Sequence, residues 1–352
     1  MTWATTYRPT SFGANELVGQ ANTHKILLNL MKRYGSSGRD WKKMPSCLIL
    51  VGSHGSGKTT IGRIVTRHLN CEEGPVVACG KCKNCADIAA GRFRDLKEFD
   101  AASNRGVNDA NSLKELLDFG MVGKVRVVLL DEAHMLTKEA WASWLKTMEE
   151  GKTNTLFILA TTDAHKIPET IYSRAMTFYI KTVKPEEAAP RLIEIAHAEG
   201  FTLSEEAAQT ASFLSNGHMR DSIQLLETSS LLVSEENKEI TVSDLYEAAG
   251  LASVDIAKQF VDLFFTRDFD GLIQFLATCP ESPSALLKSS LQYIHAGLRD
   301  INADMANIQL SHKICLLDEL GQAAIEVNQH GLPTPFLIHY YKRFLKAIGE
   351  EG

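Results

Sequence analysis

The chain has 352 residues, 44% of them hydrophobic and 23% charged, with a net charge of −6. That is the make-up of an ordinary folded protein with room for two or three domains, at the usual ~100–200 residues each. It excludes a broadly basic nucleic-acid binder, so any DNA site must be local. No run of ~18 apolar residues suggests a membrane span, and residues 1–9 hold no apolar core of a secretory signal, so a cytoplasmic protein is expected.

Three zones follow along the chain. From about 20 to 180, short apolar, β-rich runs (Leu48–Val51, Lys97–Phe99, Arg126–Leu130, Thr155–Leu159, Met176–Ile180) alternate with helical stretches. That alternation predicts a parallel sheet covered by helices on both faces. From 181 to 249 no convincing strand is found; helices are expected between Pro185 and Gly200, from Ser204 toward Gly217, and from His218 to Val233. The polar stretch Ser234–Lys238 then breaks the pattern. From 250 to 352 the chain reads as all helical, and Phe336, Tyr340, Phe344 and Ile348 form one apolar stripe.

The first chemistry-bearing segment is Gly52-Ser-His-Gly55-Ser56-Gly57-Lys58-Thr59, followed by Thr60. It fits GxxxxGK[ST] between an apolar strand and a helix, the setting in which backbone N–H groups cradle phosphates. Lys58 would reach the β and γ phosphates of ATP, and the Thr59 hydroxyl would ligate Mg²⁺. A second apolar run, residues 125–130, ends in Asp131-Glu132-Ala-His134. Asp131 would help hold Mg²⁺, and Glu132 would polarise the attacking water. Asp-Glu-Ala-His also occurs in helicases, but these need a second RecA-like domain, and the chain after 180 is helical and too short for one.

Seven cysteines occur, at 47, 71, 79, 82, 85, 279 and 315. The three scattered ones read as buried small hydrophobes. Cys71, Cys79, Cys82 and Cys85 have the spacing of a four-thiolate site for structural Zn²⁺. A redox CxxC leaves two of the four unexplained, and an Fe–S cluster is a further reading.

These motifs, with others in order along residues 5–250, resemble the AAA+ sliding-clamp loader ATPases, in particular the bacterial DNA polymerase III gamma/tau type. Tyr7-Arg8-Pro9-x-x-Phe12 and Leu17-Val18-Gly19-Gln20 resemble the family's opening segment, which implies that Arg8 and Pro9 lie at the adenine end of the ATP site. Residues 157–163 are similar to the sensor 1 strand, with Thr162 at its polar position. Ser173-Arg174-Ala175 stands where the family has Ser-Arg-Cys, which makes Arg174 the arginine finger offered to a neighbouring subunit's nucleotide. Gly217-His218-Met219-Arg220-Asp221 resembles the start of the sensor 2 helix, with Arg220 on the phosphates in cis. The cysteine segment lies where gamma/tau and delta-prime subunits carry theirs.

The resemblance implies a RecA-like AAA+ P-loop domain with a zinc-binding insert at 71–85 (1–180), a helical lid (181–249) and a helical collar for oligomerisation (250–352). It implies a DNA-replication ATPase that works in a ring, pentameric in the family, and loads a sliding clamp onto primer–template DNA. Arg105, in Ala101-Ala-Ser-Asn-Arg105-Gly, falls where the family faces DNA; an exposed arginine without a partner is the equal alternative. Another AAA+ DNA motor, of the branch-migration or initiator kind, is the alternative function, and it would lack the four-cysteine insert. A longer C-terminal tail is expected to be absent, as in a short bacterial or a phage-encoded form.

Overall fold

The computed structural model describes residues 2–12, 16–34, 45–73, 78–103, 117, 120–149, 154–234, 237–298, 305, 308–330 and 337–348. These fall into two compact units, Met1–Gly200 with Ala208–Glu227, and Phe201–Ala207 with Thr228–Gly352.

The first unit is built on five parallel strands: β1 (Cys47–Val51), β2 (Leu96–Asp100), β3 (Arg126–Asp131), β4 (Thr155–Thr161) and β5 (Ala175–Tyr179), in the order β2-β3-β4-β1-β5. Central strands are apolar almost throughout, because helices cover both faces of a parallel sheet. Alternate residues divide between two cores. Leu48, Leu50, Val127, Leu129, Leu156 and Ile158 point to one face, packed by Ile61, Ile64 and Val65 of the Lys58–Asn70 helix and by Leu27 and Met31 of the Ala21–Tyr34 helix. Cys47, Ile49, Val128, Leu130, Phe157 and Leu159 point to the other, against Trp141 and Trp144 of the Lys138–Glu149 helix. β1 thus lies between β4 and β5, and the loop leaving its C-terminal end opens where the strand order reverses, the usual place for a ligand in such sheets.

The Pro185–Ala198 helix starts on its proline, as expected, and Gly200 follows it at φ +84, a conformation that suits glycine. The region from 181 to 249 is not free of strand: Thr202–Leu203 pairs in parallel with Glu239–Ile240. Two residues a side are too few to show a β pattern, which is why the sequence hides them.

The second unit is otherwise helical, with helices at Val254–Thr266, Phe269–Thr278, Pro283–Leu298, Leu310–His330 and Leu337–Ala347. Phe264 is fully buried in its core, with ring centroids 5.1 Å from Phe260, 5.3 Å from Tyr341 and 5.9 Å from Phe344. Tyr340 and Phe344 of the expected stripe are buried, Ile348 packs at the edge, and Phe336 lies outside the described residues. Cys47 is buried in the first unit, while Cys279 and Cys315 are half-buried against this helical core.

Candidate nucleotide and metal sites

The loop after β1 folds around its own backbone. A Cβ on Gly52 would stand 2.6 Å from the Ile180 carbonyl oxygen and 2.8 Å from Ser56 Oγ, so no other residue fits there without displacement. Gly57 takes φ +96 and caps the Lys58–Asn70 helix without a side chain, leaving the helix's first N–H groups facing the loop. The Lys58 ammonium donates to the carbonyls of Gly52 (3.0 Å) and Ser53 (2.9 Å). Burial lowers its pKa, opposed by the negative charges of Glu132 and Asp131. Thr59 Oγ1 donates to Asp131 Oδ2 at 2.6 Å, so two hard oxygen donors from distant segments stand side by side, a pair that fits Mg²⁺.

Gly55, Ser56, Gly57, Lys58, Thr59 and Thr60 line a cavity of about 300 Å³. Asp131, Glu132, Arg8, Pro9 and Arg220 line it as well. Arg8 Nε donates to Thr60 Oγ1 at 3.1 Å; burial, then the nearby Arg63 and Arg220 cations, lower its pKa. Leu17, Val18, Val183 and Ile223 supply an apolar surface beside these cations. A cavity lined by both cations and apolar side chains suits a nucleotide, and cations with a helix N-terminus suit its phosphates.

Two of the expected site residues, Arg174 and Thr162, stand apart from the cavity. Arg174 follows the short Glu169–Tyr172 helix, is exposed, and pairs with Glu149 rather than lining the cavity. Thr162 is exposed past the end of β4 and does not line it either. Its neighbour Thr161 is buried, with its hydroxyl 3.2 Å from His134 Nδ1; the side alternates with each strand residue. Arg105 lies outside the described residues.

Further contacts surround the cavity. Arg191 lines the cavity from the Pro185–Ala198 helix, with no motif to mark it. Gln20 accepts from Lys181 N (3.3 Å) and donates to Lys181 O (2.5 Å), fastening the opening segment beside the sheet. Ser53 Oγ meets His218 Nε2 at 3.0 Å, which joins the phosphate loop to the Gly217–Asp221 segment.

The four clustered cysteines come together. Their sulfurs all lie within 4.8 Å of one another, and none is in a disulfide. Cys71 sits at the C-terminal end of the Lys58–Asn70 helix, and Cys82 caps the Lys83–Ala89 helix. Backbone N–H groups of Cys79, Cys82 and Cys85 point at the sulfurs of Cys71, Cys79 and Cys82 at 3.3, 3.3 and 3.5 Å. Burial is the largest influence on Cys85, pushing its thiol up to about 12, and the Cys82 and Cys71 sulfurs push the same way. Four converging sulfurs fit a tetrahedral Zn²⁺, with Zn–S bonds of ~2.3 Å. The segment is tied down by Arg67, which donates to Gly80 O (3.1 Å) and Thr10 O (2.9 Å), and by Lys124 Nζ, which donates to Cys71 O at 2.5 Å.

Comparison with known proteins agrees with this geometry. The DNA polymerase III gamma subunit of Buchnera aphidicola (subspecies Baizongia pistaciae) is 32% identical over 297 residues, 82% of this chain and 76% of the relative. The chain belongs to the DNA polymerase III gamma/tau family. Escherichia coli tau is 34% identical over 344 residues, 95% of the chain and 50% of the relative. The Mycoplasma genitalium gamma/tau subunit is 33% identical over 272 residues, 77% of the chain and 44% of the relative. The chain therefore spans about half the length of these longer family members. Residues 29–184 match the family model described as DNA polymerase III, delta subunit. Among solved structures, the Holliday junction branch migration motor RuvB of Thermotoga maritima superposes with a TM-score of 0.52 at 18% identity, over 80% of this chain and 85% of that one. At that identity the likeness shows the fold alone: a RecA-like AAA+ architecture with helical domains. Among the described residues, no helix is long and apolar enough to cross a membrane.

Proposed function

We propose that the chain is an ATP-driven subunit of a clamp loader, which opens a ring-shaped sliding clamp and sets it on primer–template DNA. The observation that carries this reading is the convergence of Lys58, Thr59, Asp131, Glu132 and Arg220 on one cavity, in a chain of the gamma/tau family. Arg8 and Pro9 would receive the base end of ATP. Lys58 would exchange its two loop carbonyls for β- and γ-phosphate oxygens, a stronger, charge-assisted contact. Thr59 and Asp131 would hold Mg²⁺, which offsets phosphate charge. Glu132 orients and polarises the attacking water, and Arg220 steadies the phosphates from the same chain.

Arg174 is exposed and outside the cavity of its own chain, so it suits service to a neighbour's nucleotide in a ring of about five subunits. Hydrolysis would then depend on assembly. Cys71, Cys79, Cys82 and Cys85 would hold a structural Zn²⁺, since four protein ligands leave no open position. The domains would divide near 180 and 249, with residues 250–352 as the collar that holds subunits together, and Arg105 would meet DNA phosphate. The setting is the cytoplasm.

The test is ATP hydrolysis by the purified chain, assembled with candidate partner subunits, with and without a sliding clamp and primed DNA. Stimulation by clamp and primed DNA together, lost in Lys58→Ala, supports the reading. Stimulation by four-way junction DNA, and none by clamp, moves it to a branch-migration motor, the function named for the structural neighbour.

A further inference from the structure

The phosphate loop meets the start of the Met219–Ser230 helix at His218. The ring's Nε2 lies 3.0 Å from Ser53 Oγ, and a Cβ placed on Gly55 would meet the same side chain at 3.5 Å. His218 is thus seated on the loop at two points. Neither Ser53 nor His218 lines the nucleotide cavity, whereas Gly55 and Arg220 do.

Ser53 faces two ways. Its carbonyl accepts from Lys58 Nζ at 2.9 Å, while its hydroxyl takes the His218 ring. A hydroxyl both donates and accepts, so it pairs with Nε2 in either neutral tautomer. Behind the ring the backbone is fixed. Val183 N–H donates to Gly217 O at 3.0 Å, and Ser222 donates to His218 O through its amide (2.9 Å) and its hydroxyl (3.0 Å). Two residues on stands Arg220, whose charge reaches Arg8: burial, then the Arg63 and Arg220 cations, lower the Arg8 pKa. Like charges that close oppose one another, and the Ser53–His218 bond is a tie that holds one of them in place.

We infer that His218 is a positioning residue: by holding the Ser53 hydroxyl and covering Gly55, it sets Arg220 against the phosphate loop, so that Lys58 and Arg220 meet one polyphosphate. The inference rests on the proposed roles of Lys58 and Arg220. It makes the shape of the loop and the placing of Arg220 one setting, with Ser53 as the residue common to both.

Ser53→Ala removes the hydroxyl and spares the carbonyl that Lys58 uses, and glutamine can place an amide near the position of Nε2. Ser53→Ala and His218→Ala are each expected to weaken ATP binding about 3–10-fold in titration calorimetry, the worth of one hydrogen bond. The two together should cost no more than either alone, and His218→Gln keeps most of the affinity. In an Arg220→Ala background the loss on changing His218 disappears, which a merely structural role would not produce. The inference is overturned by a His218→Ala chain that binds as wild type, by a glutamine variant as weak as the alanine one, or by a loss that persists without Arg220. Hydrogen exchange at the Ser222 amide reads the tie with no nucleotide added: it should quicken in Ser53→Ala, and an unchanged rate rules the tie out. Equal ATP binding by wild type and Lys58→Ala would instead sink the nucleotide reading, and the exchange result would still stand on its own.

Discussion

Lys58 and Arg174 are both cations held by weak partners. Lys58 donates to two neutral carbonyls of its own loop, so an incoming polyphosphate offers it a better acceptor. Lys58→Ala should abolish ATP binding in titration calorimetry while the fold, followed by circular dichroism, persists. Arg174 pairs with Glu149 where both are more than half exposed, and exposed pairs contribute only about 0–1 kcal/mol. Releasing it toward another anion therefore costs little. Arg174→Ala should keep ATP affinity and lower hydrolysis in the assembled ring by about 10³-fold or more, with incomplete rescue by lysine, which lacks the planar fork. Mixing Arg174→Ala chains with Lys58→Ala chains tests this: hydrolysis should return only where an intact Arg174 meets an intact loop. At this scale the sequence was most legible where chemistry is contiguous, as in residues 52–60 and 131–132. Thr161 and Thr162 look alike on paper, and only the strand's facing separates the buried one from the exposed one.

At the scale of elements, the sheet was readable because buried parallel strands are unbroken apolar runs; each of the five strands lies within two residues of its expected bounds. The cavity wall supplied by Arg191 was not readable, since an arginine on an amphipathic helix looks like any solvated one. The cysteine segment is a small element with almost no apolar core beyond its own sulfurs, Cys71 being held by Lys124, and residues 78–85 by Arg67, by Asn84 on the Asn70 carbonyl and by those thiols. Its order should therefore come from metal. The purified chain is expected to carry about one zinc, by elemental analysis of protein prepared without chelator. Cys82→Ser should lower that content and the melting temperature; full metal content in the variant would remove Cys82 from the ligand set.

For the whole molecule, the two units have separate cores, and a lesion in one can be distinguished from a lesion in the other. Phe264→Ala removes a ring that touches Phe260, Tyr341 and Phe344 and should cost about 3–5 kcal/mol in the second unit. Denaturant unfolding should show the loss, while ATP affinity stays unchanged, since Phe264 belongs to the second unit's core and does not line the cavity. The net charge of −6 is compatible with the proposed DNA contact only over a limited surface.

One helix, Lys58–Asn70, begins at the phosphate loop and ends one residue before Cys71, and its Arg67 grips both the cysteine loop and the opening segment. Thirteen residues make a rod of about 20 Å. On the proposed assignments, whatever stiffens one end would raise the helical order available to the other, and nucleotide and metal would be thermodynamically linked ligands. By reciprocity, the factor by which ATP tightens zinc must equal the factor by which zinc tightens ATP. Competition with a zinc chelator, run with and without ATP, should give a factor above one, and ATP titration of metal-loaded and metal-stripped chain should return the same value.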